Sequence, residues 1–98
     1  MNRAISGVVA FEETDQPLPG LLLLAGRLQP EGIEWLGWTV SGPGGRFRID
    51  YPPLEEAPDL VLFCCDPDGR LLYVEPPHRS IAGAELRLAV KIPRDCIS

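Results

Sequence analysis

The stretch "DQPLPGLLLLAGR", Asp15 to Arg27, decides how this chain of 98 residues folds. Four consecutive leucines follow a Pro-Leu-Pro-Gly corner. The apolar run is about eight residues long, against roughly 20 for a helix that crosses a bilayer. No membrane span is expected. A helix is disfavoured by Pro17, Pro19 and Gly20 immediately before the run. A strand remains. Strands wet on one face alternate apolar and polar residues, whereas strands covered on both faces read as unbroken apolar runs. Gly20 to Arg27 is of the second kind.

Strand patterns continue on both sides. Upstream, "AISGVVAF" (Ala4–Phe11) is rich in β-branched residues and ends in the polar turn "EETDQPLPG". Downstream, the turn "QPEG" precedes a strand over Glu34–Val40, and "GPGG" introduces Arg46–Tyr51. In that strand Phe47, Ile49 and Tyr51 alternate with Arg46, Arg48 and Asp50. "PPLEEAP" holds too many prolines for more than a single helical turn. "DLVLFCC" (Asp59–Cys65), the turn "DPDG" and "RLLYVE" (Arg70–Glu75) predict a hairpin. After the loop "PPHRSIAG", Leu86, Leu88, Val90 and Ile92 alternate with Arg87, Ala89 and Lys91. Seven short strands, no helix and no linker predict one all-β sandwich domain over residues 1–98.

The order of these pieces resembles transthyretin-like (prealbumin-like) domains, in particular the carboxypeptidase regulatory-like group. The resemblance rests on Gly7-Val8-Val9 in the first strand and on the corner Pro17-Leu18-Pro19-Gly20 before an apolar second strand. It continues with Thr39 followed by Gly45-Arg46-Phe47-Arg48-Ile49, and covers most of the chain from Ile5 to about Ile92. It implies a seven-stranded Greek-key β-sandwich used for folding support and for contacts with other proteins or sugars. It also implies that Leu21, Leu23 and Ala25 point inward, and Leu22 and Leu24 outward.

Composition narrows the functional classes. A net charge of −5 with a single lysine, Lys91, disfavours nucleic-acid binding, because affinity for phosphate backbones depends on Lys and Arg. Eleven prolines and ten glycines recur between apolar runs, which marks turns rather than disorder. The opening residues lack the pattern of a signal peptide, and three cysteines form no disulfide framework, so a cytoplasmic protein with reduced thiols is expected.

The search for chemistry returns no catalytic constellation. Hydroxyisourate hydrolases of the transthyretin family use more than one histidine and a C-terminal Tyr-Arg-Gly-Ser; this chain has His78 alone and ends "RDCIS". Intradiol dioxygenases hold iron with two tyrosines and two histidines, and Tyr51, Tyr73 and His78 are one ligand short. Lys91 lies in the last strand, so the internal isopeptide bond of Cna-type sandwiches is not expected. "DPDGR" begins like a calcium loop but lacks the distal acid; a hairpin turn built on Pro67 and Gly69 is the simpler reading. Glu55 and Glu56 read as a solvated loop. Cys64 and Cys65 should point to opposite faces of their strand. No enzyme activity, cofactor or metal is expected.

The leucines supply the functional expectation. Across from Leu22 and Leu24, either Val61/Phe63/Cys65 or Leu60/Leu62/Cys64 must share their face. An apolar outer sheet face then follows, unless "EGIEWLGW" folds back over it. The candidate partner-binding residues are Leu22, Leu24, Val61, Phe63, Cys65, Trp35 and Trp38, for a protein partner or a homo-oligomer. The alternative is a carbohydrate-binding module that stacks sugars on Trp35, Trp38 and Tyr51.

Overall fold

The computed structural model describes residues 3–52, 59–79 and 85–96. Within them the chain forms seven strands: β1 (Arg3–Phe11), β2 (Leu22–Gln29), β3 (Gly32–Val40), β4 (Arg46–Tyr51), β5 (Asp59–Cys65), β6 (Leu71–Arg79) and β7 (Leu86–Ile92). Single 3-10 turns stand at Pro43–Gly45 and Arg94–Cys96. The strands make two sheets, ordered β4-β1-β7 and β3-β2-β5-β6. All pairings are antiparallel except β1 with β7, which is parallel. The "PPLEEAP" loop falls mostly outside the described residues.

The corner before the leucines is built by hydrogen bonds. Gly20 adopts a φ of 81°, a left-handed conformation that glycine reaches without strain. Buried Ser41 accepts from the Leu21 amide at 2.9 Å and donates to the Leu18 carbonyl at 2.7 Å. Its own backbone bonds Gly20 and Leu21 at 2.8 and 2.9 Å. β3 and β2 are thereby locked together at the corner. β2 begins at Leu22, two residues later than the apolar run, because Gly20 and Leu21 are spent on this turn.

Alternation then sets the core. Leu23 and Ala25 are fully buried, opposite Ile5, Val9, Val90 and Ile92 of the other sheet. Phe47, Ile49 and Tyr51 supply the β4 side, and Leu60, Leu62 and Cys64 the β5 side. Tyr51 is 1% exposed, so it is a core residue and no part of a sugar-stacking surface.

Two segments depart from the sequence reading. "EGIEWLGW" is no covering loop: from Gly32 on it is β3, an edge strand of the same sheet. β6 runs on through Pro76, Pro77 and His78 to Arg79, where a loop was expected. As an edge strand it leaves one row of amides unpaired, and proline is tolerated there.

Candidate functional site: an apolar sheet face

Register assigns the outer face of the β3-β2-β5-β6 sheet residue by residue. Leu22 pairs with Val40 and Cys65, and Leu24 with Trp38 and Phe63. Gly26 lies between Trp35 and Val61, and Leu28 pairs with Ile33. On β6, Leu71 pairs with Cys65 and Val74 with Phe63. The outward set on β5 is therefore Val61, Phe63 and Cys65, and Leu60, Leu62 and Cys64 face the core. All seven candidate residues stand on this one face. They are not equally accessible: Leu22, Leu24 and Phe63 are half-buried, and Val61 and Cys65 are flush with the surface at 4% and 5% exposure.

A bulge brings the two tryptophans together. Three residues apart in a regular strand, Trp35 and Trp38 would point to opposite faces. The β2–β3 register shifts between Ala25 and Gly26, so Leu36 is an extra residue and turns toward the core. Both indoles then project outward, 55% and 66% exposed. Trp35 meets the Phe63 ring edge-on, centroids 5.2 Å apart at 66°. A second shift between Cys64 and Cys65 does the same for Leu71 and Val74. Of eight exposed large hydrophobic residues among those described, seven lie here; the eighth, Val8, is in β1. Sequence reasoning missed Leu28, Ile33, Val40, Leu71 and Val74, and only the bulges would have disclosed the last two.

The opposite outer face is charged. Ser6, Arg48 and Arg87 converge on Glu85, at 2.7, 2.6 and 3.2 Å. The Ser6 hydroxyl and the two guanidiniums hold the Glu85 carboxyl below its usual range, against a smaller opposing effect of desolvation. A shallow concavity lies beside this cluster, lined in part by Val8 and Arg46.

The remaining candidates have structural settings. Asp66 accepts from the Asp68 and Arg70 amides at 3.0 and 2.8 Å, so its carboxylate closes the β5–β6 turn. Cys64 is fully buried, and desolvation followed by the Glu75 charge pushes its thiol up to about 12. Burial also raises Cys65. Neither sulfur is a ready thiolate nucleophile. Tyr73 donates to Glu75 at 3.3 Å, while Tyr51 belongs to the other sheet. The backbone of His78 pairs with Leu60; its side chain lies outside the described residues. Among the described residues no three His, Cys, Asp or Glu side chains converge on a metal position. Lys91 forms an ion pair with Asp15.

No family model matches this chain, and no curated protein matches it in sequence. Among solved structures it is similar to a 9R-lipoxygenase from Cyanothece PCC8801, with a TM-score of 0.73 and 23% identity over 91% of this chain. That match spans 16% of the lipoxygenase chain. It is also similar to an alternative pilotin from the type II secretion system of Vibrio cholerae, with a TM-score of 0.58 and 11% identity, covering 94% of this chain and 96% of the pilotin. At these identities the likeness is one of fold.

Proposed function

We propose that this is a non-enzymatic interaction domain of transthyretin-like type that docks other protein surface on the outer face of the β3-β2-β5-β6 sheet. One observation carries the reading: seven exposed large hydrophobic residues share a face on which, among the described residues, the register places a single charged side chain, Asp59 at the end of β5. A sheet apolar on both sides is stable in water when something covers the second side. The strand order, with β1 parallel to β7 between β4 and the solvent edge, supports the transthyretin-like assignment. The pilotin, a secretion-system component similar over nearly its whole length, is consistent with an adaptor role. The lipoxygenase match touches too little of that enzyme to carry its activity over.

A sugar platform is the second reading, favoured by Trp35 and Trp38 on one face. Sugar hydroxyls need hydrogen-bonding partners beside the stacking rings. Among the described residues, the indole N–H groups are the polar side-chain groups beside the rings, and the Asp59 carboxylate lies at the far end of β5. A glycan array with no binder removes the reading.

The interaction reading is tested by gentle purification of the tagged chain from its own cells, followed by native mass spectrometry. Wild type should carry a stoichiometric assembly, and Trp35→Asp/Trp38→Asp should lose it with an unchanged far-UV spectrum. The same assembly in both proteins would sink the idea.

A further inference from the structure

The occupant of the face can be named from its shape and charge. Weighted by exposure, the seven open side chains present roughly 700 Å², close to the 800 Å² or so that each partner buries in a standard interface. The composition is that of a homodimer centre, which is more apolar than interfaces between unlike proteins. Among the described residues the register places one charge on this face, Asp59, at the end of β5 away from Leu22 and Cys65.

The face is also wedge-shaped. Trp38, Leu24, Phe63 and Val74 form one registered row straight across the sheet. It runs from the largest side chain at the β3 edge to one of the smallest at the β6 edge. The next row, from Trp35 over Gly26 and Val61 to the segment Pro76–Pro77, again has its largest side chain at the β3 edge. A wedge is complementary to itself under a two-fold rotation about an axis along the strands, between β2 and β5. That rotation lays the β3 edge of one copy over the β6 edge of the other. The gap between sheets then becomes even, as aligned sheet packing about 10 Å apart requires.

We infer that a second copy of this chain covers the face in a two-fold, face-to-face dimer, with Trp38 seated over the partner copy's Val74 and Leu24 over its Phe63. The inference rests on the interaction reading and gives it a partner. Because each copy carries a net charge of −5, the dimer is held by apolar burial against mutual repulsion. Salt screens that repulsion. The dimer therefore tightens as ionic strength rises, opposite to a contact held by charge complementarity.

Sedimentation velocity of the full chain at rising concentration, at low and at 0.5 M salt, tests the association. Wild type is expected to dimerise, more tightly in high salt by several-fold, and Trp38→Asp to remain a monomer with native circular dichroism. The register is tested by placing the photo-crosslinker p-benzoylphenylalanine at Val74 and mixing isotope-labelled with unlabelled copies. β3 and β6 lie three strand spacings apart, roughly 14 Å, so a mixed-label crosslink from position 74 to the Gly37–Thr39 segment reports the partner. Crosslinks confined to other segments overturn the register. A wild type that is monomeric at all concentrations overturns the dimer. If that monomer still carries a Trp38-dependent assembly with a different protein from its cells, the interaction reading survives and the second copy does not. If it carries none, both fall.

Discussion

Ser41 shows how much one side chain can hold. Its hydroxyl accepts from the Leu21 amide and donates to the Leu18 carbonyl at the corner. Ser41→Ala leaves both groups without their partner in a buried setting. The expected loss is about 3 kcal/mol, read as a lower urea midpoint with unchanged slope. Nothing in the sequence singles out this serine, because a lone hydroxyl after a strand has no periodic signature. Cys64 makes a second residue-scale prediction. Its thiol is raised from 9.0 to about 12 in the folded chain, so above pH 9 the unfolded state gives up its proton first. Stability is therefore complete below pH 9 and falls, by on the order of 1 kcal/mol per unit, as pH rises from 9 towards 12. Urea titrations at pH 8 to 10.5 measure the slope, and Cys64→Val should flatten it.

Among the elements, the legible ones are those whose residues obey a single period. β4 and β7 alternate without interruption, and their faces match the pattern read from Arg46–Tyr51 and Leu86–Ile92. β2 was legible for a different reason: its unbroken apolar run shows no phase of its own, and the inward Leu23 and Ala25 are those the resemblance implied. β3 and β6 were not. β3 carries one extra residue and β6 two, each changing the phase mid-strand, and a bulge is decided by pairing rather than by local composition. The site was therefore half visible, with Leu22, Leu24, Val61, Phe63, Cys65, Trp35 and Trp38 in view and Leu28, Ile33, Val40, Leu71 and Val74 assigned only by register. The β1–β7 pair supplies the element-scale prediction. A Cβ on Gly7 would sit 1.8 Å from the Leu88 carbonyl oxygen, with φ at 157°. No side chain can yield there, since the obstacle is backbone. Gly7→Ala should part the two strands and cost about 3 kcal/mol or more, seen as a lowered melting temperature with β7 amides exchanging faster.

At the scale of the whole molecule, the two outer faces are unlike: one carries the Arg48–Glu85–Arg87 network and the other, among its described residues, is apolar apart from Asp59 at one end. That asymmetry orients any assembly, since only one face profits from losing water. Folding should be slow for the chain's size. Ile5 must find Leu86 and Phe11 must find Ile92 before the smaller sheet closes, and such distant pairings place β-sandwiches in the millisecond-to-second range. Stopped-flow refolding by tryptophan fluorescence measures it.

The parallel β1–β7 pair also determines how the domain bears a pull. Parallel neighbours at the two ends of the described chain mean that β1 is entered at one pole of the sandwich and β7 is left at the other. Tension applied through Arg3 and Ile92 runs along the strands, so the registered contacts from Ile5–Leu86 to Phe11–Ile92 are sheared together rather than unzipped one at a time. Spliced between two handles, the domain behaves as a stiff link that yields abruptly. Pulled instead across β5 and β6, whose hairpin opens from the Asp66 turn, it gives way at lower force.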